Sequence, residues 1–153
     1  MRTAKGAWLL ALALLAGCRP GASKHVDPPG QMTLYRGNAA EPETLDPSLA
    51  MGNYEDNIMG DLMVGLLTYD DRSRPIPGMA TSWQTSKDGL IWTFKLRDAL
   101  WSDGTPVTAQ DFVFSWRRIL DPKTAGKYAY FLYVLKNAEA INNGKLPLTA
   151  LGA

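Results

Sequence analysis

The segment from Trp92 to Leu120, WTFKLRDALWSDGTPVTAQDFVFSWRRIL, is the most informative part of the sequence, because it predicts a strand, a turn and a helix in succession. Trp92, Phe94 and Leu96 alternate with polar residues, which is the period of a strand with one buried face. Residues 102–106 then combine serine, aspartate, glycine, threonine and proline, a composition typical of a tight turn. The chain is therefore expected to leave the strand through this turn and enter a helix.

The helix is predicted to begin at Thr108 and to close by about Asp121. Thr108 stands three residues before Asp111, which is the spacing of a capping box. Pro122 forbids continuation because it has no backbone N–H to donate. Apolar residues on one helical stripe predict a buried face, namely Phe112, Trp116 and Ile119.

Extended segments are predicted elsewhere in the chain. Met32–Arg36 (MTLYR) is a short strand candidate, and residues 82–84 are expected to pair in antiparallel fashion with residues 91–96 through a turn containing Gly89. The sequence PIPG at Pro75–Gly78 predicts an irregular crossing instead of a strand. The result would be one small sheet.

Two further helices are predicted, so that three helices would pack on this sheet. One begins at Glu55 and carries an apolar stripe that is expected to be buried, consisting of Ile58, Met59, Leu62, Met63, Leu66 and Leu67. The other spans Tyr128–Asn142, with Gly144 as its C-cap. The methionines of the stripe are interpreted as core residues.

Composition places the chain among ordinary globular proteins, with 46% hydrophobic and 20% charged residues over 153 positions. The formal net charge is +1, and removal of a leader containing Arg2 and Lys5 leaves 14 basic against 15 acidic residues. Binding to nucleic acid or to an anionic membrane surface would need a clustered basic patch. The near neutrality of the mature chain gives no support to either.

Residues 1–17 are predicted to be a lipoprotein signal peptide. They combine a basic start with an apolar run of about ten residues, well short of the roughly 20 needed to span a bilayer. The run ends in LAGC, which resembles a bacterial lipobox and implies cleavage before Cys18 and its lipidation. The alternative is that Cys18 is incidental in a conventional secretory signal. Residues 18–31 are rich in proline, glycine and small polar residues and predict a flexible tether, in which His25 is given no role.

The central block FKLRDALWSDGTPVTAQDFVFSWRRILDP is similar to the signature block of the extracytoplasmic solute-binding proteins of peptide ABC importers, the oligopeptide-binding protein family. The similarity continues through ETLDPSLAMGNYEDNIMGDLMVGLLTYD, PIPGMATSW and KTAGKYAYFLYVLKNAEAINNGK, so that it covers nearly everything from about Leu34 onward. Chains of that family are several times longer. Residues 32–153 are therefore interpreted as the truncated amino-terminal part of a solute-binding domain.

The resemblance implies an α/β fold like that of type II periplasmic binding proteins, here with the first strand of the main lobe and most of the smaller α+β lobe. It also implies ligand contacts at Met51, Gly52, Asn53 and Tyr128. Members of the family carry an acidic residue where this chain has Met51, so only backbone bonds are expected there. An alternative for Tyr128 is an aromatic residue that packs on the core at the start of a helix. Trp101 and Trp116 are interpreted as structural.

The function implied by the resemblance is capture of oligopeptides in the periplasm and their delivery to a membrane permease. The implied partners are the peptide, the ABC transporter permease and its ATPase, with membrane contact only through the lipid anchor and no nucleic acid. No partnered nucleophile, histidine base or metal-ligand spacing is found in the sequence, so neither an enzyme nor a cofactor or metal site is expected. Two alternatives remain open. The ligand could be a nickel chelate, haem or an oligosaccharide, or the protein could be a non-transport surface lipoprotein such as an adhesin or folding helper.

Overall fold

The computed structural model describes Gly30 and residues 33–153. The chain divides into two units, residues 1–36 and residues 37–153, and every described helix and strand lies in the second. The predictions of a signal peptide at 1–17, of lipidation at Cys18 and of a tether at 18–31 fall outside the described residues, apart from Gly30. They stay predictions.

The first strand predicted from the sequence is not formed by the residues that can be checked. Residues 33–36 have no strand conformation, and neither described sheet includes them. A strand needs a backbone ladder to a neighbouring strand and a face to bury. The Leu34 side chain is 90% exposed, so burial gives this segment no reason to pair. The prediction of a strand at Met32–Arg36 is wrong over these residues.

Helix α1 spans Asn53–Leu62, and it is shorter than the apolar stripe suggested. Met63 already has an extended backbone, and Leu67 belongs to a strand. The carbonyl groups of Gly65 and Leu66 instead accept hydrogen bonds from the residues that begin a later strand. Tertiary pairing thus outweighs local helical periodicity. The expected burial also fails in the middle of the stripe, where Leu62 is 68% exposed and Met63 is 50% exposed.

Two antiparallel hairpins follow instead of one sheet. Strand β1 (Leu67–Tyr69) pairs with β2 (Pro75–Pro77), and β3 (Ala80–Thr85) pairs with β4 (Trp92–Leu96). The prediction of an irregular crossing at PIPG is therefore wrong, since three of its residues form β2. Prolines are tolerated there because β2 is an edge strand with a single neighbour.

The second hairpin confirms the pairing predicted from the sequence. Trp83 lies opposite Phe94, and a register shift between Ala80 and Ser82 marks a bulge in β3. Gly89 has a φ of +74° in the connecting turn, a left-handed conformation that glycine adopts without strain. The strand Trp92–Leu96 covers the residues in which apolar and polar side chains alternate, and it ends two residues before Asp98, near which its end was expected.

Helix α2 spans Ala109–Leu120 and confirms the predicted helix. Thr108 is its N-cap within a capping box, and the Thr108 N–H donates to Asp111 Oδ2 at 2.7 Å. The helix ends at Asp121, whose ψ of 122° is the extended conformation that a following proline imposes. Local chemistry accounts for both ends of this helix.

The region predicted as one helix from Tyr128 to Asn142 is broken into two. A 3₁₀ helix covers Ala129–Val134 and helix α3 covers Ala138–Asn142, separated by Asn137 with a left-handed φ of 69°. The Asn137 side chain donates to the Ala150 carbonyl at 2.7 Å, a long-range contact that sequence periodicity does not contain.

Gly144 ends α3 as predicted. Its N–H donates to the Ile141 carbonyl at 2.8 Å, and the Lys145 N–H donates to the Ala140 carbonyl at 2.8 Å. These two bonds form a Schellman motif, which the φ of +72° at Gly144 permits. A last short 3₁₀ helix covers Leu148–Ala150.

The hydrophobic core is built by the helical elements. Its buried members come from α2, from α3 and from the segments beside them, and they are Leu120, Ala129, Ala138, Ile141 and Leu151. Partly buried side chains pack around it, including Trp116, Ile119 and Leu132. No described strand residue belongs to this cluster, so the prediction of three helices on a small sheet is wrong. The strands are too exposed to supply a common buried face.

Candidate functional site

The candidate site begins in the turn that precedes α1. The Asp46 carbonyl accepts hydrogen bonds from the N–H groups of Leu49 and Ala50, each at 3.0 Å. Asp46 Oδ1 accepts a further bond from the Ser48 N–H at 3.0 Å. Pro47 disfavours the helical region for Asp46 and so permits this turn. A single residue thus organises the approach to Met51.

The Asp46 carboxylate is bound in bidentate fashion by Arg118 in the last turn of α2. Arg118 Nη1 and Nη2 donate to Oδ1 and Oδ2, each at 2.5 Å. The hydrogen bond from Arg118, followed by that from the Ser48 N–H, lowers the pKa of Asp46 below its ordinary value. The same contact raises the pKa of Arg118. Both groups are therefore charged across the physiological range, and residues 72 positions apart are joined.

The turn also lies directly against the loop that follows α2. Ser48 and Ala50 are each only 7% exposed. A Cβ atom at Gly126 would lie 2.9 Å from the Ser48 carbonyl oxygen and 2.8 Å from Ile119 Cγ1. Only glycine allows this close backbone approach without a shift of the neighbouring atoms. The turn is therefore packed as well as hydrogen bonded.

Glu55 holds the other side of the segment. Although charged, it is only 4% exposed, and its Oε1 accepts a hydrogen bond from the Glu43 N–H at 2.8 Å. The N–H groups of Glu43, Glu55 and Gly52 lower the pKa of its carboxyl. A Cβ atom at Gly52 would lie 2.5 Å from Glu55 Oε2, so a side chain there would displace the carboxylate.

The structure brings together the residues that the resemblance singled out. The Tyr128 hydroxyl donates to the Met51 carbonyl oxygen at 3.1 Å, next to Gly52 and Asn53. Tyr128 is 40% exposed and stands at the start of the 3₁₀ helix Ala129–Val134, and it is not among the side chains of the core cluster. Its hydroxyl is bound to the chain itself, which the sequence did not indicate. Contact of these residues with a ligand stays a prediction.

The Tyr128 ring belongs to an exposed aromatic group. It stacks on Phe131, with ring centroids 5.5 Å apart and an interplanar angle of 28°, and it meets Tyr130 edge-on at 6.2 Å. Tyr130 is 52% exposed and Phe131 is 65% exposed. The site therefore combines the partly exposed segment Met51–Asn53 with an uncharged aromatic wall.

Trp101 and Trp116, which were interpreted as structural, both have contacts within the fold. Trp116 packs against the core cluster. Trp101 is 49% exposed, but it contributes to the low pKa of Asp111, which the N–H and hydroxyl of Thr108 lower most strongly. Both side chains therefore help to hold α2 in place, and neither lies among the residues of the site.

Sequence reasoning missed the residues that hold the site in place, namely Asp46, Arg118 and Glu55. Asp46 was assigned to a turn only, and no local signal connects it to an arginine 72 positions later. Glu55 was placed at the start of a predicted helix, where an acidic residue is favoured, but no contact with the segment was predicted for it. Its burial was not readable, because charged residues are seldom buried.

Neither a metal centre nor a membrane span is found in the described part of the chain. No group of three or more His, Cys, Asp or Glu residues among Gly30 and residues 33–153 could hold a metal ion. The helices of these residues are too short or too polar to cross a bilayer.

Comparison with known proteins identifies a family model and curated relatives that match this chain. The family model of "Bacterial extracellular solute-binding proteins, family 5 Middle" matches residues 74–150. The chain is 50% identical over 125 residues to the periplasmic oligopeptide-binding protein OppA of Escherichia coli. This match covers 80% of the chain and 23% of that relative. The chain thus spans less than a quarter of the length of this curated relative.

Solved structures show the same fold. The crystal structure of Haemophilus influenzae OppA in complex with RPPGFSPFR matches with a TM-score of 0.71 and 46% identity, over 75% of this chain and 23% of that one. The Escherichia coli murein tripeptide-binding protein MppA matches with a TM-score of 0.70 and 49% identity, over 73% of this chain and 22% of that one. The chain therefore has part of a type II periplasmic-binding-protein fold, as predicted. Because the family model also spans half of its residues, the chain belongs to the bacterial extracellular solute-binding proteins of family 5.

Proposed function

We propose that this chain is the amino-terminal part of the substrate-binding component of an ABC importer that captures oligopeptides in the periplasm. The observation that carries the proposal is the 3.1 Å hydrogen bond that joins Tyr128 to the Met51–Asn53 segment, in which Met51 and Asn53 are exposed and Gly52 is partly exposed. The names of the relatives from Escherichia coli and Haemophilus influenzae, both oligopeptide-binding proteins, agree with it. Peptide would lie between this lobe and a second lobe and be enclosed by a hinge motion.

The chemistry of the segment suits recognition of a peptide main chain. A carbonyl oxygen has two lone pairs, so the Met51 oxygen can accept a bond from a ligand N–H while it accepts one from Tyr128. The Met51 side chain carries no charge, which leaves backbone bonds as the polar contribution of this residue. Main-chain bonds of this kind do not depend on the sequence of the peptide.

The partners of the complete protein belong to the same proposal. Peptide would be handed to a permease that is driven by an ATPase, and a lipid on Cys18 would anchor the protein to the membrane after removal of residues 1–17. The support for the anchor is the LAGC sequence and the apolar run before it. Mass spectrometry of the exported protein should find an acylated Cys18 at the mature amino terminus.

Calorimetry on the complete two-lobed protein tests the proposal. Mixed peptides should bind, whereas nickel chelates, haem and oligosaccharides should not. In Tyr128→Phe the dissociation constant for peptide should rise about fivefold, the equivalent of about 1 kcal/mol for one net hydrogen bond. Tyr69→Phe is the matched control, because Tyr69 is 72% exposed on the first hairpin and away from the segment. Absence of peptide binding to the wild-type protein would overturn the proposal, and unchanged affinity in Tyr128→Phe would remove this hydroxyl from the site.

A further inference from the structure

We infer that the Asp46–Arg118 ion pair is a positioning device that sets the backbone of Met51–Asn53 for its ligand. The inference rests on the proposed function, since it assigns a role in that same site. It concerns two side chains that are not themselves expected to touch peptide. Their effect would pass through the turn at Asp46, whose carbonyl and carboxylate bind the N–H groups of the three residues before Met51.

Three contacts hold the Met51–Asn53 segment in place. On its amino-terminal side the Asp46 carboxylate accepts hydrogen bonds from both terminal nitrogens of Arg118. On its carboxy-terminal side Glu55 Oε1 accepts a hydrogen bond from the Glu43 N–H at 2.8 Å. Between these points the Met51 carbonyl accepts the Tyr128 hydroxyl bond at 3.1 Å. Of these ties, the Arg118 contact is the one that connects the turn to helix α2 through charge.

Stability alone gives a weak reason for this ion pair. The Arg118 side chain is 39% exposed and that of Asp46 is 26% exposed, and ion pairs so accessible to solvent contribute little to folding. Two parallel N–H···O bonds from a planar guanidinium do, however, fix the orientation of the carboxylate. A fixed Asp46 fixes the turn that it caps, and a segment held in its bound conformation loses less entropy when ligand arrives.

A second ion pair in the same lobe supplies a matched comparison. Arg74 binds Asp70 at 2.7 Å, but these residues lie only four positions apart within one hairpin loop. Breaking this pair removes a similar contact while leaving the approach to Met51 untouched. Any effect specific to Asp46 and Arg118 therefore reports on the segment and not on loss of an ion pair as such.

The test compares Arg118→Lys and Asp46→Asn with Asp70→Asn in the complete two-lobed protein. Lysine keeps the charge but cannot make the two-pronged contact. Without ligand, amide hydrogen exchange at Ser48, Leu49 and Ala50, whose N–H groups are bonded to Asp46, should become several-fold faster in the first two variants and stay unchanged in Asp70→Asn. Peptide dissociation constants should rise about tenfold in the first two variants, whatever the peptide side chains, which corresponds to the loss of one or two main-chain hydrogen bonds.

Each outcome decides the question. Wild-type exchange at these three amides in Arg118→Lys would overturn the inference, as would faster exchange spread evenly over the lobe, which indicates general destabilisation. Faster local exchange with unchanged peptide affinity would also overturn it. If the wild-type protein binds no peptide, the proposed function fails by itself, and the exchange measurement still decides whether the ion pair orders the turn that precedes the segment.

Discussion

The helical part of the lobe and its two hairpins are stabilised in different ways. Around α2 and α3, Leu120, Ala138 and Ile141 are between 0% and 1% exposed. In the hairpins burial is confined to the start of β3, and Trp92 in β4 remains 57% exposed. Side-chain burial therefore stabilises the helical part, whereas backbone hydrogen bonds and turn geometry determine the hairpins. Removing side-chain volume should therefore lower the free energy of unfolding most in the helical part, whereas adding volume should lower it where the backbones of the hairpins lie close together.

The largest effect is expected from removing volume in the helical part. Leu120→Ala should lower the free energy of unfolding by about 2–5 kcal/mol, because the side chain is fully buried and the cavity cannot fill completely. Phe114→Ala in the same helix is the control, and it should cost much less because Phe114 is 68% exposed. Chemical denaturation measures both. Equal losses in the two variants would show that the helical part has no distinct core.

A smaller effect is expected from adding volume where the hairpins meet. A Cβ atom at Gly78 would lie 2.6 Å from the Gly65 carbonyl oxygen, so Gly78→Ala should destabilise by about 1–3 kcal/mol. Gly60→Ala is the matched control, because nothing lies within 4 Å of its Cβ position inside α1. It should stabilise by about 0.5–1 kcal/mol through helix propensity. Thermal denaturation that shifts both variants in the same direction would contradict this account.

The smallest effect on stability is expected when low pH protonates two aspartates in the hairpin turns. The N–H and guanidinium of Arg74 lower the pKa of Asp70, and the Ser86 hydroxyl and Leu90 N–H lower that of Asp88, both from an ordinary 3.8. Their folded pKa values lie below the unfolded ones, so this stabilisation is complete above about pH 4 and is lost as the pH falls through the folded values.

The melting temperature of the wild-type protein should accordingly decrease between about pH 4 and about pH 2. Replacing both carboxylates, as in Asp70→Asn combined with Asp88→Asn, should lower the melting temperature at neutral pH and flatten its decrease in acid. A slope identical to that of the wild type would show that these two turns contribute nothing to the acid dependence.

The same contrast explains what the sequence could predict. Strand Trp92–Leu96 and helix Ala109–Leu120 were found with nearly correct bounds because their causes are local, namely alternation, a capping box and a proline. The end of α1 at Leu62 and the break at Asn137 were not found. Both depend on hydrogen bonds to residues more than ten positions away, which a periodic pattern does not encode.

The candidate site was predictable to a similar extent. Resemblance to a family pointed to Met51, Gly52, Asn53 and Tyr128, and the structure joins the first and last of them directly. Their supports were not predictable, because Asp46 and Arg118 each have an ordinary local explanation as a turn residue and as a helix-end cation. The pairing of two such residues is a property of the folded chain alone.

The backbone bridge between Lys136 and Gly152 closes a short ring around helix α3, and bringing such near neighbours together costs little chain entropy. The ion pair between Arg118 and Asp46 closes a loop of 72 residues, and the chain entropy lost in closing it is larger than for the Lys136–Gly152 bridge. Arg118 lies in the last turn of α2, the helix that places Leu120 in the core cluster. Through Asp46, the conformation of the Met51–Asn53 segment therefore depends on the packing of helix α2, although the two are far apart in the sequence.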